Sequence, residues 1–180
     1  MLNGTAEPQA LQRLVGMPFP SVVLRGAVGG SVVPGHADVP WVLYLYPGSD
    51  TSEAHGSDTP LADAQPHRGF RDLHKDLAAC HHTVIGVSSQ PLEKRRRAIG
   101  AHRLTHQLAS DGPLQLADQL SLPTFKVGGL RFYQRLTLVV ANGVIVLLLY
   151  PVLVPGRNAA EVLAWLKTQH RPGIHMNKES

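Results

Sequence analysis

Few residues in this chain have the type and spacing for chemistry, and most lie between Pro47 and Cys80. Thr51 offers a hydroxyl, and Ser57 follows Gly56, in a polar segment that succeeds an apolar run. Cys80 is the only thiol. The thiolate is the reactive form, and the carboxyl end of a helix, where Cys80 falls, disfavours that charge. Protonated His81 and His82 would offset this. A helix of ~14 residues spans about 20 Å, which sets Cys80 far from Thr51. Cys80 is therefore read as a small residue packed at a helix end, with a redox-active thiol as the alternative. His102 and His106 stand at i, i+4, a spacing that can bind a metal on a helix. They lack a carboxylate or cysteine companion at ligand spacing, so no metal site is expected. Lys94-Arg95-Arg96-Arg97 reads as a solvated helix face rather than a nucleic-acid patch.

The elements that must position these groups follow from periodicity. Trp41-Val-Leu-Tyr-Leu-Tyr46 is apolar or aromatic throughout, the pattern of a strand buried on both faces. Pro47 and Gly48 stop it. After the polar segment, Phe70, Leu73 and Leu77 recur at helical spacing, predicting a helix over roughly 66–79, with Asp58-Thr59-Pro60 a further start signal. The loop of such a strand–loop–helix unit lies at the strand's carboxyl end, where open α/β sheets place ligands and reactive groups.

Thr83-Val-Ile-Gly-Val-Ser88 predicts a second buried strand, and Pro91 with Glu93 starts a helix that fades by about Ser110. Leu114 to Gly129 reads as a connector with a short helical piece. The apolar run Leu136–Val154 is long enough to cross a bilayer, but Asn142-Gly143 at its middle supplies the two positive φ angles of a hairpin turn. A buried β-hairpin is expected there, and no membrane span. Asn158-Ala-Ala-Glu161 resembles a capping box with Asn158 as the cap. Ala159, Val162, Leu163 and Leu166 give the following helix one apolar stripe. Glycines and prolines between Leu11 and Val33 break that stretch into an amino-terminal β-ribbon, and residues 1–10 and 169–180 read as loose ends.

Composition bounds the function class. A chain of 180 residues is expected to form one domain, here over 11–168. Its 17 Lys+Arg against 13 Asp+Glu leave too small an excess to imply nucleic acid. A single cysteine excludes an intrachain disulfide and suits the cytoplasm. The first 20 residues hold no apolar h-region, so no secretory signal is expected.

The element order is a β-ribbon followed by β-α-β-α-β-β-α, the order of a thioredoxin fold, an α/β class with a mixed central sheet flanked by helices. Tyr46-Pro47-x-x-x-Thr51, Phe70-Arg71-Asp72, Gly86-Val87-Ser88-Ser89, and Arg135-Leu-Thr-Leu-Val-Val opening the hairpin together resemble the peroxiredoxins. Tyr150-Pro-Val152 followed by Asn158–Leu166 looks most like the bacterioferritin-comigratory, or Q-type, branch.

The resemblance implies hydroperoxide reduction by a cysteine thiolate in the first turn of the helix after Pro47, recycled by a thiol reductant such as thioredoxin. No cofactor is implied, and either a monomer or a homodimer is compatible. Carried over residue by residue, Pro47 matches the shielding proline, Thr51 the hydroxyl that holds the peroxide, and Arg135 the guanidinium that keeps the sulfur ionised. The nucleophile does not carry over. Its position falls on Ala54 or, with the gap placed differently, on Ser57. A serine hydroxyl neither ionises near neutral pH nor forms a sulfenic acid. Two readings follow: a thiol peroxidase impaired or inactive in this copy, or a non-catalytic thioredoxin-fold protein whose pocket binds a ligand or partner.

Overall fold

The computed structural model describes residues 7–35, 39–48 and 61–169, with residues 61–63 described by backbone alone. Its elements are α1 (Pro8–Gln12), β1 (Leu24–Gly26), β2 (Ser31–Val32), β3 (Trp41–Leu45), α2 (Leu61–Asp72), α3 (His74–Ala79), β4 (Thr83–Ser88) and α4 (Leu92–His102). Then follow β5 (Gln107–Ser110), α5 (Gln115–Leu120), β6 (Thr124–Val127), β7 (Leu130–Tyr133), β8 (Leu136–Ala141), β9 (Val144–Leu149) and α6 (Asn158–Gln169). Seven strands form one mixed sheet in the order β2-β1-β5-β4-β3-β8-β9, and β6 and β7 form a separate hairpin. β3, β4 and β5 run parallel, and β8 lies antiparallel to β3.

Alternation along β3 sends its side chains to two cores, as expected of a strand buried on both faces. Leu43 and Leu45 join Ile85, Val87 and Leu116 on one side. Val42, Tyr44 and Tyr46 join Phe70, Leu77 and the α6 residues Val162, Leu163 and Leu166 on the other. The apolar run at 136–149 is the expected hairpin, with Asn142 and Gly143 at φ 51° and 71° in its turn. Among the described residues, no helix is long and apolar enough to cross a membrane.

Several local expectations are corrected. The helix after the polar segment is two, α2 and α3, meeting at Leu73, and α2 carries Pro66 inside it. Residues 107–110 are not the fading end of a helix but strand β5, held between β4 and β1 by pairing that its own short sequence does not announce. The connector 114–129 likewise contains β6, paired to β7 across Gly128-Gly129. Pro8–Gln12 is helical rather than loose, and the amino-terminal ribbon is limited to β1 and β2.

Asn158 does not cap α6. A 3-10 turn at Pro155–Arg157 precedes it, and its buried Nδ2 donates to Thr137 Oγ1 at 2.6 Å, tying the helix to β8. An Asn158→Ala variant is expected to lose about 1–2 kcal/mol of stability, because Thr137 is fully buried and left without that donor. Urea unfolding monitored by tryptophan fluorescence measures it, and an unchanged midpoint would contradict the assigned tie.

Candidate functional site

The parallel strands define two ends, and the expected site residues divide between them. Leu45 pairs with Leu136, so Pro47, beyond the last residue of β3, and Arg135, before the first of β8, emerge at the same end. Thr51, Ala54 and Ser57 lie outside the described residues. Cys80 belongs to the other end. It caps the carboxyl terminus of α3, three residues before Thr83, whose N–H bonds to the Pro40 carbonyl at the start of β3. From that level to Pro47 is ~20 Å along the strand. There Cys80, His81 and His82 line an open cavity of about 560 Å³ with Trp165 and Val146. His82 Nδ1 lies 2.7 Å from the Cys80 carbonyl.

Beneath the Pro47 end lies a buried polar cluster that sequence reasoning missed. The Tyr44 hydroxyl sits 2.8 Å from His67 Nδ1 on α2 and 2.7 Å from His106 Nε2, just before β5. Its ring stacks on Phe70 at 4.3 Å, and Tyr46 meets His67 edge-on at 4.7 Å. His102 faces His67 at 5.8 Å, and His74 faces His106 at 6.0 Å. Register explains how the ring fits. Tyr44 pairs with Gly86, and Gly86 with Leu108, so the phenol crosses β4 where no side chain stands.

The hydroxyl has one proton for two imidazoles, so one histidine must donate to it. His106 Nδ1 is buried without a partner. An unpaired buried acceptor is less costly than an unpaired buried N–H. We therefore assign His106 Nε2–H to Tyr44 Oη, and Tyr44 O–H to His67 Nδ1. Burial, then His106, His102, Arg135 and Arg95, pushes His67 down to about 3. Burial, then His74, pushes His106 down to about 4. Burial raises Tyr44 well above its ordinary value, with Tyr46 adding to it. Near neutral pH all three are uncharged. They are poor acids and bases there, and they serve to bind α2 and the α4–β5 junction to the sheet.

A second missed element is Arg95. The run Lys94–Arg97 is not a uniformly solvated face: Arg95 turns inward and is 1% exposed. Its Nη1 donates to the Gln90 carbonyl, and its Nη2 to the Ser88 carbonyl at 2.5 Å and to Ser88 Oγ at 2.7 Å. The Tyr46 hydroxyl also accepts from it, while burial lowers the guanidinium's affinity for its proton. Arg96 is exposed, and its Nε donates to the Ala27 carbonyl. Gly48, at φ 103°, lies against the Gln90 side chain, and a Cβ there would collide with it. His102 and His106 do not share a helix, since α4 ends at His102. Among the described residues, no three metal-ligating side chains group to hold an ion.

The signals were partial. Tyr44 and Tyr46 share a strand face by parity, which marks that face as holding polar groups in need of partners. Nothing local named His67 and His106, respectively 23 and 62 residues away, as those partners.

No protein-family model matches the sequence, and no curated protein does. Solved structures do. The peroxidoxin BcpB of Mycobacterium tuberculosis is similar with a TM-score of 0.73 at 22% identity, over 88% of this chain and 98% of that one. The bacterioferritin comigratory protein of Xanthomonas campestris gives 0.69 at 21% identity, over 83% and 92%. Reduced Prx3 of Vibrio vulnificus, solved with hydrogen peroxide, gives 0.69 at 24% identity, over 88% and 98%. These likenesses establish the fold: the chain has the peroxiredoxin form of the thioredoxin fold.

Proposed function

We propose that this protein is a peroxiredoxin-fold protein that does not turn over hydroperoxide by thiol chemistry, and that the Pro47–Arg135 end of its sheet serves as a binding site. The observation that carries this reading is the position of Cys80. The only thiol of the chain lies at the opposite end of the parallel strands from Pro47 and Arg135. Peroxide reduction needs a thiolate where donors can stabilise the charge moving through the O–O bond. With Ala54 and Ser57 at the candidate nucleophile positions, the groups that would serve such a thiolate have none to act on.

One observation favours a second reading. Cys80 is half-buried at the edge of a cavity beside His81 and His82, so a peroxide and a thiol reductant such as thioredoxin could meet it there. Stopped-flow peroxide consumption decides between the two. The unaltered chain is expected to react no faster than an ordinary exposed thiol. Cysteine installed at 54 or 57 is expected to raise the rate at the one position that faces Arg135. Fast turnover that disappears in Cys80→Ser would establish the second reading and overturn the first.

A further inference from the structure

We propose that the carboxyl end of β4 and the first turns of α4 form a subsite for an organic carboxylate, its anionic oxygens held by Arg95 and Gln90 beside Tyr46. The proposal rests on reading this end of the sheet as a binding site, and it names the ligand class.

Three observations support it. Arg95 is a buried cation whose described acceptors, the Gln90 and Ser88 carbonyls, Ser88 Oγ and the Tyr46 hydroxyl, are all neutral. Its Nε is buried without a partner. Neutral acceptors offset only part of the cost of taking a guanidinium out of water, and an anion offsets the rest. Gln90 is 5% exposed, and its Nε2 is likewise buried and unpartnered. Arg95 is tied to the same residue through the backbone, its Nη1 donating to the Gln90 carbonyl. Two guanidinium groups, Arg135 and Arg95, also bear on His67 at this end of the sheet.

Room for a ligand lies in the next cavity, which Gln90 lines and Arg95 backs through its bond to the Gln90 carbonyl. Gln90 walls a space of about 590 Å³ between α4 and the β6–β7 hairpin, a size usual for small-molecule sites. Lys94 and Arg131 also line it, Arg131 paired with Asp118, and among the described residues no acidic side chain does. Leu114, Leu130 and Phe132 supply apolar walls. A carboxylate with an apolar body suits both halves. Its two oxygens match the two donors, whereas a phosphate would need more.

Thermal unfolding of the full chain, followed by tryptophan fluorescence at constant ionic strength, tests the proposal with benzoate, benzamide and inorganic phosphate. Benzoate is expected to raise the midpoint saturably, as a ligand of the folded state does. Gln90→Met and Arg95→Lys are expected to weaken its apparent affinity about tenfold or more, the usual loss for a hydrogen bond to a charged group. Lys75→Gln, on the exposed side of α3, should leave it unchanged. Should Arg95→Lys fail to fold, Gln90→Met decides alone, because Arg95 keeps its bond to the backbone carbonyl. A response equal with benzamide, matched or exceeded by phosphate, undiminished in Gln90→Met, or absent altogether overturns the carboxylate subsite. Peroxide turnover would overturn the proposed function without touching this result.

Discussion

Acidification from pH 7 to pH 4 is expected to remove several kcal/mol of folding stability, through His67 and His106. In the folded chain these imidazoles are held down to about 3 and about 4, mainly by burial. In the unfolded chain each returns to an ordinary value of about 6.5. The folded state thus binds fewer protons than the unfolded state between those values. Their stabilising contribution is complete above pH 6.5, falls as the pH drops below it, and is exhausted once the folded groups themselves protonate. Every tenfold difference in proton affinity between the folded and unfolded histidine is worth about 1.4 kcal/mol, so the loss is on the order of several kcal/mol. Urea unfolding at a series of pH values between 7 and 4 measures this. His106→Gln can keep a donor for Tyr44 but cannot titrate, and is expected to flatten the profile markedly. An equally steep profile in that variant would show that other groups set the acid limit.

Gly86→Ala is expected to destabilise the protein by about 3 kcal/mol or more. A Cβ at this position would stand 2.5 Å from Tyr44 Cζ, 2.6 Å from Tyr44 Oη and 2.6 Å from Leu108 Cδ2. Tyr44 is stacked on Phe70 and fixed by two histidines, so the ring has no nearby rotamer to take. Overpacking alone costs about 1–3 kcal/mol, and displacing the hydroxyl forfeits buried hydrogen bonds of about 1 kcal/mol each. Gly100→Ala in α4 is the contrasting case. A Cβ there meets nothing within 4 Å, so the change should be neutral or stabilising by up to about 1 kcal/mol. Comparison of the two midpoints in one denaturation experiment tests both signs. A Gly86→Ala protein as stable as the parent would mean that the Tyr44 bridge is not formed as described.

The parts of the fold that were legible in the sequence are those fixed by local periodicity. Trp41–Leu45 announced a doubly buried strand, Asn142-Gly143 a hairpin turn, and the apolar stripe from Ala159 to Leu166 a packed helix. The helical spacing before Cys80 likewise set that thiol at the carboxyl end of its helix, away from the loop after Pro47. The Gly128-Gly129 turn between β6 and β7 was readable by the same rules. Strand β5 was not, because four residues become a strand there only when β4 and β1 flank them.

Tertiary structure alone decided the polar interior. A histidine at 67 or 106 and an arginine at 95 carry no local sign of burial. Each is buried by a partner far along the chain, Tyr44 for both histidines, and Tyr46 with the end of β4 for Arg95. Apolar burial is repaid by almost any neighbour and so leaves a repeating pattern. A buried polar group is stable only with its specific partner, and that pairing exists only once the sheet has brought the two together.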